Sequence, residues 1–103
     1  MTTTSQSAAA TAEGSVVITH AVGLHARPSV KLTKLAKTFE SSIRLRGDTL
    51  QDWVDAKSIV RVMGLKVREG ATLFFRADGP DAEAAVDALV GLVERDFDEQ
   101  PAD

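Results

Sequence analysis

Residues 41–55 read SSIRLRGDTLQDWVD. Ile43 and Leu45 alternate with Arg44 and Arg46, the two-residue period of a strand buried on one face and solvated on the other. Gly47-Asp48 supplies turn chemistry, and Trp53 and Val54 belong to a returning strand. A hairpin in the middle of a short chain decides the architecture. It predicts an α+β fold, a mostly antiparallel sheet with helices covering one face.

Towards the N-terminus, Leu32, Leu35, Ala36 and Phe39 keep the i, i+3, i+4, i+7 spacing of a helix with a buried stripe. Pro28 fits the first turn of that helix, where its missing N–H costs little. Val16, Val17 and Ile18 are a β-branched run and predict a first strand. Residues 1–14, MTTTSQSAAATAEG, hold no large apolar side chain beyond Met1 and predict a flexible tail.

Towards the C-terminus, Ser58 is placed to cap a short helix running through Leu65 and carrying Ile59, Val62 and Met63. Leu73, Phe74 and Phe75 after Gly70 predict a fourth strand. Pro80 opens a last helix with Asp81 and Glu83 near its positive end, and Ala82, Ala85, Val86, Leu89, Val93 and Phe97 form its apolar stripe. The order is β-α-β-β-α-β-α. One folded domain is expected over residues 15–98, with residues 99–103 as a C-terminal tail.

The composition bounds the chemistry. With 103 residues there is room for one core, and with no cysteine there is neither a disulfide nor a thiolate nucleophile. No apolar run approaches the ~18 residues of a membrane helix, and no secretory leader is read at the N-terminus, so a cytoplasmic protein without membrane insertion is expected. The net charge of −3 is divided unevenly. Residues 21–76 hold eleven basic and five acidic side chains, whereas residues 77–103 hold Arg95 against nine acids. A local positive face that attracts acidic partners follows, rather than a general polyanion binder.

The chemistry concentrates between His25 and Lys37. His25 directly precedes the helix, so the N–H groups of Ala26 and Arg27 lie where an anion such as phosphate is stabilised by unpaired amides and the helix dipole. The same positive end disfavours imidazolium and keeps His25 a neutral nucleophile. Arg27 can add a charge-assisted contact to a phosphate oxygen. Arg27, Lys31, Lys34 and Lys37 share one face of the helix, with Val30 displayed among them, which reads either as a docking surface or as a solvated cationic face. A lone histidine before a helix is more often a cap or surface residue than a nucleophile, and only Arg27 and the basic stripe bring the two readings of His25 level. His20 is taken as structural or exposed, and no metal site is expected because no third ligand stands near the two histidines. Ser58 is first a helix cap and second a site for phosphorylation.

The run Gly23-Leu24-His25-Ala26-Arg27-Pro28 resembles the active-site motif of the histidine-containing phosphocarrier (HPr) family of the phosphoenolpyruvate-dependent sugar phosphotransferase system. Asp55-Ala56-Lys57-Ser58-Ile59 leading to Met63-Gly64-Leu65 resembles the regulatory-serine segment of that family, and Asp78-Gly79-Pro80-Asp81 with the helix ending near Phe97 is a third match. Three motifs in the right order make the resemblance specific, and it covers residues 15–98. It implies an open-faced sandwich of four antiparallel strands in order 1-4-2-3 with three helices on one face. It also implies that His25 accepts a phosphoryl group on its δ1 nitrogen from phosphorylated enzyme I and passes it to a histidine of an enzyme IIA domain, with Arg27 steadying the group. Val30, Lys31, Lys34, Ile59, Val60, Met63 and Leu65 would form the surface seen by both partners. Ser58 would be the site used by HPr kinase/phosphorylase where the host has one. No cofactor, no stand-alone turnover and a monomer are implied. Val22 stands where many relatives carry Asn or Ser, so orientation of His25 falls to backbone or packing.

Two other functions compete. A regulatory module could share this fold and surface yet receive no phosphoryl group, a reading that retention of His25 with Arg27 disfavours. A small nucleic-acid binder would use the basic middle segment, against which stand the acidic C-terminal region and the single Trp.

Overall fold

The computed structural model describes residues 10–19, 26–48 and 52–98. Its elements are β1 (Thr11–Val17), α1 (Ala26–Ala36), β2 (Ser42–Gly47), β3 (Val54–Asp55), α2 (Ile59–Gly64), β4 (Thr72–Asp78) and α3 (Ala82–Glu94), followed by a short 3-10 turn, Asp96–Asp98. The strands form one antiparallel sheet in the order β1-β4-β2-β3, and α1, α2 and α3 cover a single face.

The alternation read at residues 43–46 is what orients the sheet. Ile43 and Leu45 are buried, and so are Leu73, Phe75 and Ala77 of β4, all on the face beneath the helices. Arg44 and Arg46, with Phe74 and Arg76, therefore point to the opposite face. Leu32 and Ala36 of α1, Val62 of α2, and Ala85, Leu89 and Val93 of α3 complete the core. α1 buries more than its predicted stripe, because Pro28, Ser29 and Thr33 also lie against neighbours, and the Thr33 hydroxyl donates to the Val30 carbonyl at 3.1 Å. The hairpin is narrower than expected. β3 contains only Val54 and Asp55, Trp53 precedes it, and residues 49–51 lie outside the described residues.

Two boundaries differ from the sequence expectation. β1 begins at Thr11, so Thr11–Gly14, read as tail, belong to the sheet. They pair with β4 from Thr11 opposite Asp78 to Gly14 opposite Phe75. Backbone pairing, not side-chain hydrophobicity, recruits them, and Gly14 lets α3 come close. A Cβ there would lie 2.8 Å from Val86 Cγ1. At the other end α3 stops at Glu94, and Phe97 is not part of its stripe. Asp96 and Phe97 take left-handed angles (φ 59° and 56°), which swing the Phe97 ring back into the core, where it is fully buried.

The acids expected to serve the start of α3 divide their work. Glu83 lies in its first turn, but Asp81, at the N-cap position, makes no cap hydrogen bond. Its carboxylate instead accepts from the Glu40 and Ser41 amides, each at 2.9 Å, and from the Ser41 hydroxyl. The Ser41 hydroxyl in turn accepts from the Asp81 amide at 3.1 Å. This clasp joins the loop after α1 to the start of α3. The hydroxyl bond first, then the amide bonds, hold the Asp81 carboxyl below its ordinary value of 3.8.

Candidate functional site

α1 starts at Ala26, the residue that follows His25 in the sequence. His25 itself, together with His20, Val22, Gly23 and Leu24, lies outside the described residues. Ala26 and Arg27 are exposed on the first turn, and Arg27 is helical even though it precedes Pro28. Pro28 costs the helix nothing here, since first-turn amides have no partner within the helix, and its ring is buried. The start of α1 thus keeps the geometry that suits an anion: helix amides, the positive end of the dipole and an exposed guanidinium.

From this turn the surface runs along α1 and across to α2, which packs against it. Val30 is 43% exposed, and Lys34 and Lys37 are exposed on the same side. α2 contributes Val60, 76% exposed, and Met63, 39% exposed. Val30, Val60 and Met63 are three of the four exposed large apolar side chains among the described residues, the fourth being Val17 on β1. Ile59 is half-buried, and Leu65 packs against the core. Leu65 therefore supports α2 more than it presents a contact. A six-residue helix cannot stand by itself in water. Val62, its one buried side chain, anchors α2 to the core.

Ser58 caps α2 as its sequence position predicts. It sits at φ −107°, ψ 112°, and its hydroxyl accepts from the Arg61 amide at 3.3 Å. The turn before it is held by Asp55, whose carboxylate accepts from the Lys57 amide at 2.9 Å, and by the Lys57 ammonium, which donates to the Phe39 carbonyl at 2.7 Å. That lysine ties α2 to the end of the α1 segment.

Lys31 departs from the expected cationic stripe. It is half-buried, and its ammonium donates to the Phe97 carbonyl at 3.0 Å. The left-handed turn at Asp96–Phe97 aims that carbonyl at α1. Helical periodicity places Lys31 beside Arg27 and Lys34 but carries no information about a turn 66 residues away. Among the described residues there is no group of three or more His, Cys, Asp or Glu side chains that would hold a metal ion, and no helix long and apolar enough to cross a membrane.

Known proteins with this arrangement carry phosphoryl groups. Residues 12–95 match the family model described as the PTS HPr component phosphorylation site. The chain is 45% identical over 82 residues to the phosphocarrier protein HPr of Cupriavidus necator, covering 80% of this chain and 90% of that one. It is 36% identical over 84 residues to the phosphocarrier protein NPr of Proteus mirabilis, covering 82% and 92%. It also matches 17% of a multiphosphoryl transfer protein of Vibrio cholerae, with 50% identity over 68 residues. An HPr crystal structure from Thermoanaerobacter tengcongensis superposes with a TM-score of 0.80 at 38% identity, covering 86% of this chain and 98% of that one. That family consists of carrier proteins rather than enzymes with turnover of their own. Sequence and fold converge on one conclusion: the chain belongs to the HPr family of phosphocarriers of the phosphotransferase system.

Proposed function

We infer that this phosphocarrier receives its phosphoryl group on His25 from phosphorylated enzyme I and hands it to a histidine of an enzyme IIA domain. The observation that carries the reading is the exposed apolar patch of Val30 on α1, the helix that begins one residue after His25, with Val60 and Met63 on the adjoining α2, while α1 also displays Arg27 and Lys34. In the first transfer the imidazole lone pair of His25 forms the P–N bond as the bond to the donor breaks, and the second transfer reverses the roles. A carrier must hold the group without trapping it. Helix amides at Ala26 and one guanidinium at Arg27 supply moderate anion stabilisation, and the remaining contacts come from the partners.

Docking joins a small apolar centre to a cationic rim, which suits partners with an apolar patch ringed by acids. Ser58 at the head of α2 adjoins that patch, so HPr kinase acting there would place two negative charges beside Ile59 and Val60. The protein works in the cytoplasm as a monomer without a cofactor.

The test is intact mass after incubation with enzyme I and phosphoenolpyruvate, with His25→Ala beside it. One acid-labile phosphoryl group, absent from the mutant, is the expected result. Its absence, with an enzyme I from the same organism that is active on another carrier, would leave the regulatory-module reading in its place. Arg27→Ala should slow transfer about tenfold or more with an unchanged fold, and unaltered transfer to both partners would remove Arg27 from the site.

A further inference from the structure

The sheet face turned away from the helices holds a side-chain cluster that phosphoryl transfer does not use. Arg76 of β4 stands directly opposite Arg44 of β2, and Phe74 opposite Arg46. The Arg46 guanidinium carbon lies 4.4 Å from the centre of the Phe74 ring and 5.2 Å from that of Trp53, the single tryptophan. Arg44 makes no hydrogen bond or ion pair among the described residues. Its cross-strand neighbour Asp55 is turned to the Lys57 amide. Arg76 has one wide contact, 3.7 Å from Nε to the Glu13 carboxylate, between two exposed side chains. Val17 extends the same face on β1 and is 49% exposed.

Two arginines opposite each other on central strands cost stability rather than add to it. An anion bound between them removes that cost. Stacking on two rings and a hydrogen bond from its Nη1 to the Gly47 carbonyl at 3.3 Å fix Arg46, which holds Trp53 and Phe74 together on this face. Trp, Phe and Arg together on an exposed face are also the residue types that dominate protein–protein hot spots.

Charge placement selects the class of partner. Glu13 and Asp55 stand at the two ends of the cross-strand row containing Arg76 and Arg44. The positive centre is therefore narrow and acid-flanked, which disfavours a long polyanion crossing the sheet and fits one or two carboxylates. We propose that the open face of the sheet docks a short acidic segment of a partner protein, with carboxylates on Arg44 and Arg76 and an apolar side chain against Trp53 and Phe74. The helices and the open face are opposite layers of the sheet. A partner held here leaves the α1–α2 surface uncovered, so docking and phosphoryl transfer can proceed on one molecule.

The experiment is a Trp53 fluorescence titration of the full chain with the peptide acetyl-Glu-Leu-Glu-Leu-Glu-amide, its Gln-for-Glu counterpart, and an oligodeoxythymidylate. A saturable change with the Glu peptide is expected, weakened about tenfold or more by Arg44→Glu/Arg76→Glu and absent with the Gln peptide. Arg44→Gln/Arg76→Gln serves if the charge-reversed protein is not folded by circular dichroism. No saturable response by about 1 mM, an equal response to the Gln peptide, or equal binding by the double mutant would overturn the proposal. Tighter binding of the oligonucleotide would replace it with a nucleic-acid surface. Phosphorylation by enzyme I should be unchanged in the double mutant, which keeps this result independent of the assignment of His25.

Discussion

Replacing Val62 with alanine should weaken docking although Val62 is not part of the exposed patch. Its side chain is fully buried and is the one buried residue of α2. Removing two methyl groups forfeits about 1.6 kcal/mol of transfer free energy, at ~0.8 kcal/mol per group. An unrelaxed void of about 50 Å3 adds about 1 kcal/mol more, at ~24 cal/mol per Å3. The sum, about 2–3 kcal/mol, is large for a helix of six residues that has no independent stability. The loss should therefore fall first on α2. Urea unfolding would report the global change, and amide hydrogen exchange would report α2 opening ahead of β4 and α3. Val60→Ala is the matched control, since Val60 is mostly exposed and belongs to the patch itself. It should leave stability within about 0.5 kcal/mol of the parent yet weaken enzyme I binding. If Val62→Ala changes neither the urea midpoint nor exchange in residues 59–64, α2 is not held by its core anchor. If Val60→Ala binds enzyme I as the parent does, α2 is not the docking element.

Other perturbations separate local structure from function. The Asp81 carboxyl is held below its ordinary value in the fold by Ser41 and the Glu40 and Ser41 amides, so its stabilisation is present above about pH 4 and fades as pH falls through the lowered value. Asp81→Asn should therefore flatten the acid limb of a urea-midpoint profile between pH 6 and 2.5, and an unaltered slope would refute the clasp. Gly79 has φ +143°, and a Cβ there would meet Ser41 Cα at 2.8 Å, so Gly79→Ala should lower the melting temperature by about 5 °C or more. An unchanged melting temperature would show that the clasp tolerates displacement. Ser58→Asp keeps a side-chain acceptor at the α2 cap but sets a charge beside Ile59 and Val60. Helix content should persist while affinity for enzyme I falls, as measured by calorimetry, and equal affinity would place the interface elsewhere.

Much of the molecule was legible in the sequence because its signals are local. The alternation of Ile43 and Leu45 with Arg44 and Arg46 has the period of a one-sided strand, and the structure buries the first pair and turns the second outward. The stripe at Leu32 and Ala36, the cap at Ser58 and the α3 positions Ala82, Ala85, Val86, Leu89 and Val93 were equally readable, whereas Phe97 was not, because helical spacing and capping act within a few residues. The display of Val30 among basic residues also holds. Lys31 is the exception on that face.

What local signals could not carry are the contacts made across the sheet or between distant segments. Apart from Thr11, residues 11–14 hold no side chain of strand preference, and they became a strand because β4 offered backbone partners and Gly14 admitted α3. Asp81 was read only as an acid at the positive end of its own helix, but Ser41, forty residues away, offered its carboxylate a set of donors. Lys31 looked free for a partner, yet the left-handed turn at Phe97 supplied a carbonyl for its ammonium. The opposition of Arg44 to Arg76 and the stacking of Arg46 on Phe74 depend on the register of β2 against β4, segments some thirty residues apart. By itself, then, the sequence determined which residues of β2, α1 and α2 face the core and which family the chain belongs to, since periodicity and motif order are written along the chain. The tertiary structure decided which charged groups are occupied and which remain available to a partner, because that choice is made by whatever the fold brings alongside them.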